Sequence, residues 1–265
     1  TTALVMGSVH PQSVEALFHE AARHRLRLIA GKVLMDRHCP AALRDSAETG
    51  YRDSKALIER WHGRDRLLYA VTPRFAPTSS EAQLTRAGDL LREHPDVYLH
   101  THLAENRDEL DWVASLFPDD RSYLGVYQRF GLVRERAVFA HAIHLDRTDR
   151  QCLADAGAAV AHCPTCNFFI GSGLFDLRTT LNAEVRVGMG TDVGGGTTFS
   201  VLRTLPEAYK MAQLQNYSLT PERAFFLATL GGARALYLDD RIGNLQPGKE
   251  ADFLLLDPAA TPLLA

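Results

Sequence analysis

A histidine and a glutamate stand close together after a strand-like segment in the middle of the chain. His102 begins the sequence His-Leu-Ala-Glu-Asn, so Glu105 lies three residues after it. An imidazole at a strand end can coordinate a divalent metal, which lowers the pKa of a coordinated water to about 7. A nearby carboxylate can carry a proton to a departing amine. The pair predicts hydrolytic deamination. A core histidine beside a glutamate at a helix N-terminus is an equally consistent alternative for these two residues alone.

Two further candidates stand at the ends of other apolar segments. His141 ends the run Val-Phe-Ala-His and can either bind a metal or hydrogen-bond the attacking water. Asp192 leaves a hydrophobic segment for the sequence Val-Gly-Gly-Gly, in which glycines allow close backbone approach. Its carboxylate suits a metal ligand and a base that deprotonates water. The alternative is a helix N-cap, which the intervening glycines disfavour because they delay any helix.

Arg74 and Phe75 are candidates for substrate recognition, since they follow the strand-like segment 67–71. The guanidinium of arginine is a planar fork of donors that suits a carbonyl oxygen or ring nitrogens. A phenylalanine ring offers a face for stacking on a planar heterocycle. A salt-bridged arginine and a core phenylalanine are about as consistent with the sequence alone.

Several nearby residues give weaker signals. His100 and His102 share one face of a strand and resemble a two-ligand metal clamp, but the strand-end position favours His102 and places His100 deeper in the interior. His144 is expected to be solvated or to cap an element. Cys163 and Cys166 form a C-x-x-C pair, which can be a redox pair or half of a zinc site. We interpret them as two cysteines of a polar barrel loop.

Segments of strand length alternate with amphipathic segments of helical spacing along most of the chain. The strand segments are 3–8, 28–34, 67–71, 97–102, 137–141, 158–161 and 185–191, and the helical segments are 13–24, 51–62, 80–93, 105–117, 146–156 and 201–215. Such units form a parallel sheet, either open and doubly wound or closed. Because barrel enzymes gather their sites at the carboxyl ends of strands, we predict an α/β fold, a (β/α)8 TIM-type barrel that lacks its first strand.

The pattern changes near residue 238. Residues 1–238 form the predicted barrel, incomplete at its N-terminus. Residues 242–257 have the composition of a turn and a strand without another barrel unit, so 239–265 are expected to begin a separate small β domain. Both ends of the chain look like cuts through a larger protein, and we expect a longer parent.

Composition and charge exclude several classes of function. The 265 residues are 46% hydrophobic and carry a formal net charge of −3, without the basic character of a nucleic-acid-binding protein. No apolar run approaches the ~20 residues of a membrane span, and the N-terminus lacks signal-peptide features. Four cysteines are too few for a dense disulfide framework. We therefore expect a cytoplasmic protein that binds neither nucleic acid nor membranes.

Taken together, these segments resemble the guanine deaminase family of the amidohydrolase superfamily. The matching stretches, in the family's order, are GKVLMDR (31–37), TPRFAPT (72–78), HTHLAEN (100–106), FAHAIHL (139–145), HCPTCN (162–167), GSGLF (171–175), GTDVGGGT (190–197) and IGNLQPGKEADFLLLD (242–257). HLAEN together with GTDVGGG identifies the superfamily, and TPRF narrows the resemblance to guanine deaminases.

The resemblance implies a zinc-dependent hydrolysis of guanine to xanthine and ammonia. It implies that His102 and Asp192 bind one divalent ion, zinc or alternatively iron, and that Glu105 shuttles protons. It further implies that His141 orients the attacking water and that Asp192 helps to deprotonate it. The implied substrate-binding residues are Arg74, Phe75, His102, Glu105 and Asp192. The expected assembly is a homodimer, and 239–265 would begin the C-terminal part of a small β-sandwich domain.

The chain departs from the family pattern in one respect. The family carries an H-x-H pair on its first barrel strand, and no counterpart precedes Ala3. We expect that this reflects truncation. One alternative is a related amidohydrolase that acts on another aminated heterocycle, such as an s-triazine or a pterin. The other is a non-catalytic barrel homologue, although a scaffold has no physical need for Glu105, His141 and Asp192 together.

Overall fold

Parallel strands follow one another across the sheet in the computed structural model, which describes residues 2–257. The strands are β1 (Thr2–Met6), β2 (Arg27–Gly31), β3 (Val33–Leu34), β4 (Leu67–Pro73), β5 (Tyr98–Leu103), β6 (Ala137–His141), β7 (Ala159–His162) and β8 (Arg186–Met189). Their order in the sheet is β1-β2-β4-β5-β6-β7-β8, and the two-residue β3 pairs with β4. Each of the seven predicted strand segments between residues 3 and 191 overlaps an observed strand. Within residues 2–257 no strand pairing joins β1 to β8, so the curled wall is open between them.

Helices connect the successive strands and cover the outside of the wall. They are α1 (Pro11–Arg23), α2 (Ala47–Trp61), α3 (Glu81–Glu93), α4 (Arg107–Leu116), α5 (Tyr123–Arg129), α6 (Arg147–Asp155), α7 (Pro164–Phe169), α8 (Leu177–Asn182), α9 (Val201–Gln213), α10 (Pro221–Ala228) and α11 (Leu230–Ala235). All six predicted helical segments coincide with helices. The short helices α5, α7, α8, α10 and α11 lie outside the six predicted segments, because six to eight residues contain too little of the helical repeat to be recognised.

Side-chain caps fix where the helices around the wall begin. The Asn106 side chain accepts a hydrogen bond from the Glu109 N–H, so α4 begins immediately after residue 106. The Ser200 side chain accepts from the Arg203 N–H at the start of α9. Such caps satisfy backbone donors that have no partner within the helix. The caps therefore fix the length of each loop between a strand end and the helix that follows it.

The main hydrophobic core lies between the strands and the covering helices. Phe18 of α1 stacks on Trp61 of α2 with ring centroids 5.5 Å apart, and both pack toward β4. Residues of β2 and β6 are buried along their whole lengths, as expected for parallel strands covered on both faces. The close approach of β4 to β2 requires glycine at position 31, because an added Cβ would lie 1.7 Å from the Ala70 carbonyl oxygen.

The strand predicted within 242–257 does not form. Residues 251–257 have no regular secondary structure, and the side chains of Phe253 and Leu255 are 68% and 91% exposed. A strand requires a partner for its backbone hydrogen bonds, and no described strand pairs with this segment. Glu250 instead forms ion pairs with Arg27 and Arg66. The division at residue 238 remains a prediction, and 258–265 lie outside the described residues.

Candidate active site

The carboxyl ends of β5, β6 and β8 bring four of the predicted residues to one edge of the wall. The His141 Nε2 atom lies 3.6 Å from Glu105 Oε1 and 3.8 Å from Asp192 Oδ2. The His102 ring stacks on the His141 ring, with centroids 5.4 Å apart. Because β5 and β6 pair with Leu103 opposite His141, these two strands end level with each other. We call His102, Glu105, His141 and Asp192 the strand-end cluster.

Left-handed backbone shapes the two turns that carry the centre of the cluster. Ala104 has a φ of +47°, while His141 and Ala142 have φ values of +68° and +49°. Non-glycine residues in this region carry a cost of order 1–3 kcal/mol each. The turns are joined by backbone hydrogen bonds, from the Ala142 N–H to the Leu103 carbonyl at 2.8 Å and from the Ile143 N–H to the Ala104 carbonyl at 3.1 Å. Each strained turn is therefore held in place by the other.

His141 is oriented by an amide on the neighbouring helix. Its Nδ1 donates to Asn167 Oδ1 at 3.0 Å, and the ring is 1% exposed. This contact turns Nε2 toward the space between the two carboxylates. The Nε2 atom is buried and has no hydrogen-bond partner. A buried imidazole nitrogen without a partner is costly, so this atom is placed to meet a ligand or a water.

His102 has the hydrogen-bond pattern of a metal-binding histidine. Its Nδ1 donates to the Arg74 carbonyl oxygen at 2.8 Å, which leaves the lone pair on Nε2. Histidine ligands commonly donate their second ring nitrogen to a carbonyl in this way. Burial, followed by the charge of His141, lowers the pKa of His102 to about 3. The ring is therefore neutral at physiological pH, as a ligand must be.

Glu105 is held by a loop that follows α7. The Ser172 hydroxyl donates to Glu105 Oε1 at 2.9 Å. The Glu105 backbone N–H donates to Glu109 Oε2 at 3.2 Å. Glu105 precedes the α4 cap, Asn106, so its side chain does not cap the helix and turns toward the cluster instead. The Ser172 hydroxyl thereby holds Oε1 of the carboxylate in a defined position.

Asp192 occupies a left-handed position, with a φ of +44°, at the start of the glycine-rich loop. The next helix, α9, is capped by Ser200, so the alternative that Asp192 is an N-cap is wrong. The loop packs tightly against the site. A Cβ added to Gly195 would lie 2.6 Å from Cys166 Sγ and 3.3 Å from Asp192 Oδ2. Glycine at this position therefore lets the loop approach the carboxylate.

Arg74 and Phe75 lie beside the strand-end cluster. The guanidinium carbon of Arg74 is 4.8 Å from the Phe75 ring centroid. The Phe75 ring makes edge contacts with His102 at 6.5 Å and with Trp112 at 5.9 Å. Arg74 is exposed and forms no ion pair within the described part of the chain, and Phe75 is only half-buried. The geometry thus disfavours both the salt-bridge and the core-packing alternatives.

The prediction of a polar loop for the two cysteines is wrong. Cys163 is 3% and Cys166 1% exposed, because Pro164 begins α7 at this point and turns both thiols inward. Both thiols are free. Cys163 Sγ donates to the Ala161 carbonyl at 3.4 Å, whereas Cys166 Sγ lies 4.0 Å from Glu105 Oε1. Burial raises the pKa of both thiols above its usual value.

Three further histidines, His100, His144 and His162, lie near the site. His100 lies deeper on β5, as predicted, and burial lowers its pKa to about 4. His162 ends β7, stacks on Phe175 at 4.7 Å, and has its pKa lowered by burial to about 3. His144 is not a solvated residue or a cap, because its Nε2 donates to the Ser172 carbonyl at 3.0 Å.

Sequence reasoning assigned no role to Asn167, Ser172 or Cys166, which contact the cluster directly. All three lie just after β7, within the stretches HCPTCN and GSGLF that carry the family resemblance. The available signal was a group of small polar residues after a strand end, the same signal that identified His102 and Asp192. This signal was missed because α7, with six residues, is too short to show the periodicity of a helix.

The donor atoms at this edge fit a divalent metal such as zinc. Among the described residues, Glu105, His141 and Cys166 have ligand atoms within 4.8 Å of one another. The predicted ligands His102 and Asp192 adjoin that group through their contacts with His141. Imidazole nitrogen, carboxylate oxygen and thiolate sulfur are the donors that zinc takes in proteins. The Nε2 lone pair of His102, which the hydrogen bond at Nδ1 leaves available, agrees with such an ion.

The chain belongs to the amidohydrolase family, whose model matches residues 1–265. It is similar to the guanine deaminase of Escherichia coli K12, with 57% identity over 263 residues that cover 99% of this chain and 60% of that protein. The solved structure of E. coli guanine deaminase matches 100% of this chain and 61% of that chain, with a TM-score of 0.98 at 56% identity. These findings confirm the barrel fold and the resemblance inferred from the motifs.

Two more distant structures extend the comparison. The guanine deaminase of C. acetobutylicum, with guanine bound in its active site, is 27% identical, with a TM-score of 0.88 over 94% of this chain and 60% of that one. An adenosine deaminase of Xanthomonas campestris with bound zinc is 26% identical, with a TM-score of 0.81 over 90% of this chain and 54% of that one. The chain thus spans about three fifths of the length of the relatives that it matches.

Proposed function

We propose that the protein removes the amino group of guanine by hydrolysis and releases xanthine and ammonia. The observation that carries the proposal is the convergence of Glu105 and Asp192 on the buried Nε2 of His141. Two carboxylates beside an imidazole are the groups that hydrolytic deamination uses to move protons. The similarity to guanine deaminases, one of which holds guanine in its active site, supports guanine as the substrate.

His102 and Asp192 are the proposed ligands of one zinc ion, and the adenosine deaminase structure with bound zinc supports that choice of metal. When bound, zinc would supply Lewis acidity that makes a water nucleophilic at neutral pH. The protein supplies the orientation of the ligands. The Arg74 carbonyl fixes the His102 ring, and the glycine-rich loop fixes Asp192.

The proposed proton transfers use the three groups around His141 Nε2. Asp192 Oδ2 accepts a proton from the attacking water, and His141 orients that water. Glu105 delivers a proton to the ring nitrogen next to the amine-bearing carbon as water adds there. Glu105 next takes the hydroxyl proton of this adduct and delivers it to the amine, which leaves as ammonia, and the proton held by Asp192 then returns Glu105 to its acid form. Its hydrogen bond from Ser172 keeps the carboxylate within reach of both positions.

Phe75 and Arg74 are proposed to select the purine. The half-buried Phe75 ring presents a stacking surface next to His102. The exposed guanidinium of Arg74 lies above that ring and has donors free for a carbonyl oxygen or a ring nitrogen. His102, Glu105 and Asp192 line the same space and would contact the reacting end of guanine. The amine-bearing carbon would thereby face the proton-carrying groups.

The direct test is xanthine formation from guanine by the full-length natural protein, measured with and without a strong chelator. We expect turnover that the chelator abolishes and that added zinc restores. Absence of turnover by the metal-replete protein would eliminate the proposal and favour the non-catalytic homologue. Turnover that survives complete metal removal would eliminate the zinc-dependent mechanism.

Arg74→Met tests the related alternative, an amidohydrolase for an s-triazine or a pterin. Loss of a charged hydrogen bond to guanine is expected to lower kcat/KM by about 10–100-fold. Arg23→Met on the exposed surface of α1 is the matched control and should leave the value unchanged. The measurement compares guanine with an aminated triazine and a pterin. Two results together would contradict guanine as the substrate. The unaltered protein would turn over the triazine or the pterin faster than guanine, and Arg74→Met would leave guanine turnover unchanged.

We also propose a cytoplasmic homodimer that handles small molecules and binds neither nucleic acid nor membranes. Large apolar side chains around α7 and α9 support a dimer, since Phe169, Phe199 and Leu214 are 69%, 84% and 65% exposed. The net charge of −3 is consistent with the absence of nucleic-acid binding. Across residues 2–257, no helix is long and apolar enough to cross a membrane. Light scattering that gives the mass of one full-length chain would contradict the dimer.

A further inference from the structure

Two members of the strand-end cluster, Glu105 and His141, lie beside the thiol of Cys166. Glu105 Oε1 lies 3.6 Å from His141 Nε2 and 4.0 Å from Cys166 Sγ, and all three ligand atoms lie within 4.8 Å of one another. Zinc–ligand bonds of about 2.0–2.3 Å in a tetrahedron place neighbouring donors roughly 3.3–3.6 Å apart. Glu105 Oε1 and His141 Nε2 already have that spacing, and a movement of the Cys166 sulfur by about 1 Å would bring the third donor to it.

The environment of these donors favours a positive charge. His141 Nε2 is buried and has no hydrogen-bond partner. Within the described part of the chain, Glu105 forms an ion pair with His141 and none with a lysine or arginine. When the proposed catalytic ion is bound by His102 and Asp192, Glu105 is still a partly buried carboxylate without a cation, which is costly. A divalent ion would offset this cost and satisfy the unpartnered nitrogen at the same time.

Cys166 makes this donor set different from that of the proposed catalytic ion. Its thiol is on α7 and faces Glu105, while the Gly195 backbone packs against the sulfur. The catalytic ligands proposed above, His102 and Asp192, offer nitrogen and oxygen only. Thiolate sulfur selects softer cations. The thiol is not at the surface, but the cluster opens to solvent beside Asp192, whose side chain is 34% exposed.

We propose that Glu105, His141 and Cys166 form a second cation site, which takes a thiophilic divalent ion and blocks deamination when it is filled. Coordination replaces the thiol proton, which passes to solvent. The same ion occupies the Glu105 oxygen and the His141 nitrogen that would otherwise handle protons and water. The blocking effect rests on the proposed function, whereas binding of the ion does not.

The test is a titration of the zinc-loaded, full-length protein with Co²⁺. Cobalt bound by Cys166 gives a thiolate-to-metal charge-transfer band in the near ultraviolet, and cobalt at the nitrogen and oxygen ligands of His102 and Asp192 does not. We expect a band that saturates at one ion per chain and a parallel loss of guanine turnover. Cys166→Ser should remove the band and raise the Co²⁺ concentration for half-inhibition by at least about tenfold. Cys163→Ser, the matched control, should retain both effects.

The outcomes separate this site from the proposed function. Absence of the band in the unaltered protein, or its persistence in Cys166→Ser, would overturn the site. Equal inhibition of Cys166→Ser and the unaltered protein would overturn the blocking effect. A band in a protein that does not turn over guanine would support the site and eliminate the function. If Cys166→Ser fails to fold, anomalous scattering from Co²⁺-soaked crystals of the unaltered protein tests the site instead. We expect anomalous density beside Cys166 Sγ, and its absence would overturn the site.

Discussion

Replacing Glu105 by glutamine is expected to lower kcat for guanine deamination by about 10²–10⁴-fold, the usual contribution of a general acid–base group. Glutamine keeps the shape of the side chain and can still accept the hydrogen bond from Ser172. It cannot carry a proton. Zinc content should remain close to that of the unaltered protein, because the proposed ligands are His102 and Asp192. Steady-state kinetics and metal analysis of the same preparation measure the two effects.

Glu59→Gln is the matched control for this prediction, since Glu59 is exposed on α2. Its kinetics and metal content should be unchanged. Activity retained by Glu105→Gln would show that another group carries the proton. A large loss of zinc from that variant would assign Glu105 to the metal ligands instead.

Asp192→Asn is expected to lower both zinc content and kcat. The amide is a weaker metal ligand than a carboxylate and cannot accept the water proton at neutral pH, so the loss in kcat should again be about 10²–10⁴-fold. The backbone should remain intact, since asparagine tolerates the left-handed φ of +44° at this position. The midpoint of thermal unfolding, measured with chelator present, distinguishes a local effect from misfolding. For Asp192→Asn it should equal the midpoint of the unaltered protein measured in the same way.

Asp65→Asn provides a control with the same backbone geometry, because Asp65 is exposed and has a φ of +52°. It should leave both zinc content and kcat unchanged. Full zinc content in Asp192→Asn would remove Asp192 from the proposed ligand set. Together with Glu105→Gln, this variant distinguishes proton transfer from metal binding, because only one of the two should release the ion.

Much of the barrel could be predicted from the sequence because several of its strands, such as β2 and β6, are buried along their whole lengths. Such strands appear as short apolar segments, and the polar residue that ends each segment stands out. His102, His141 and Asp192 were found in this way. The strand end is a local feature of the sequence, so no knowledge of packing was needed to locate these three residues at one edge of the fold.

The parts that were not predicted depend on contacts between distant segments. Asn167 orients His141, and Ser172 holds Glu105, only because α7 packs the segment after β7 against the ends of β5 and β6. The expected strand within 242–257 failed for a related reason, since strand formation depends on a neighbouring backbone. Neither kind of contact can be derived from the composition of the segment itself.

The backbone hydrogen bonds between the two strained turns also bear on how this site can evolve. The turn at Ala104 places Glu105, the turn at Ala142 follows His141, and each turn provides part of the support of the other. Substitutions in the two turns should therefore be epistatic, with double-variant effects that differ from the sum of the single effects. Whether a substitution is tolerated at one strand end therefore depends on the residues present at the other. We expect the segments that carry Glu105 and His141 to change together during evolution.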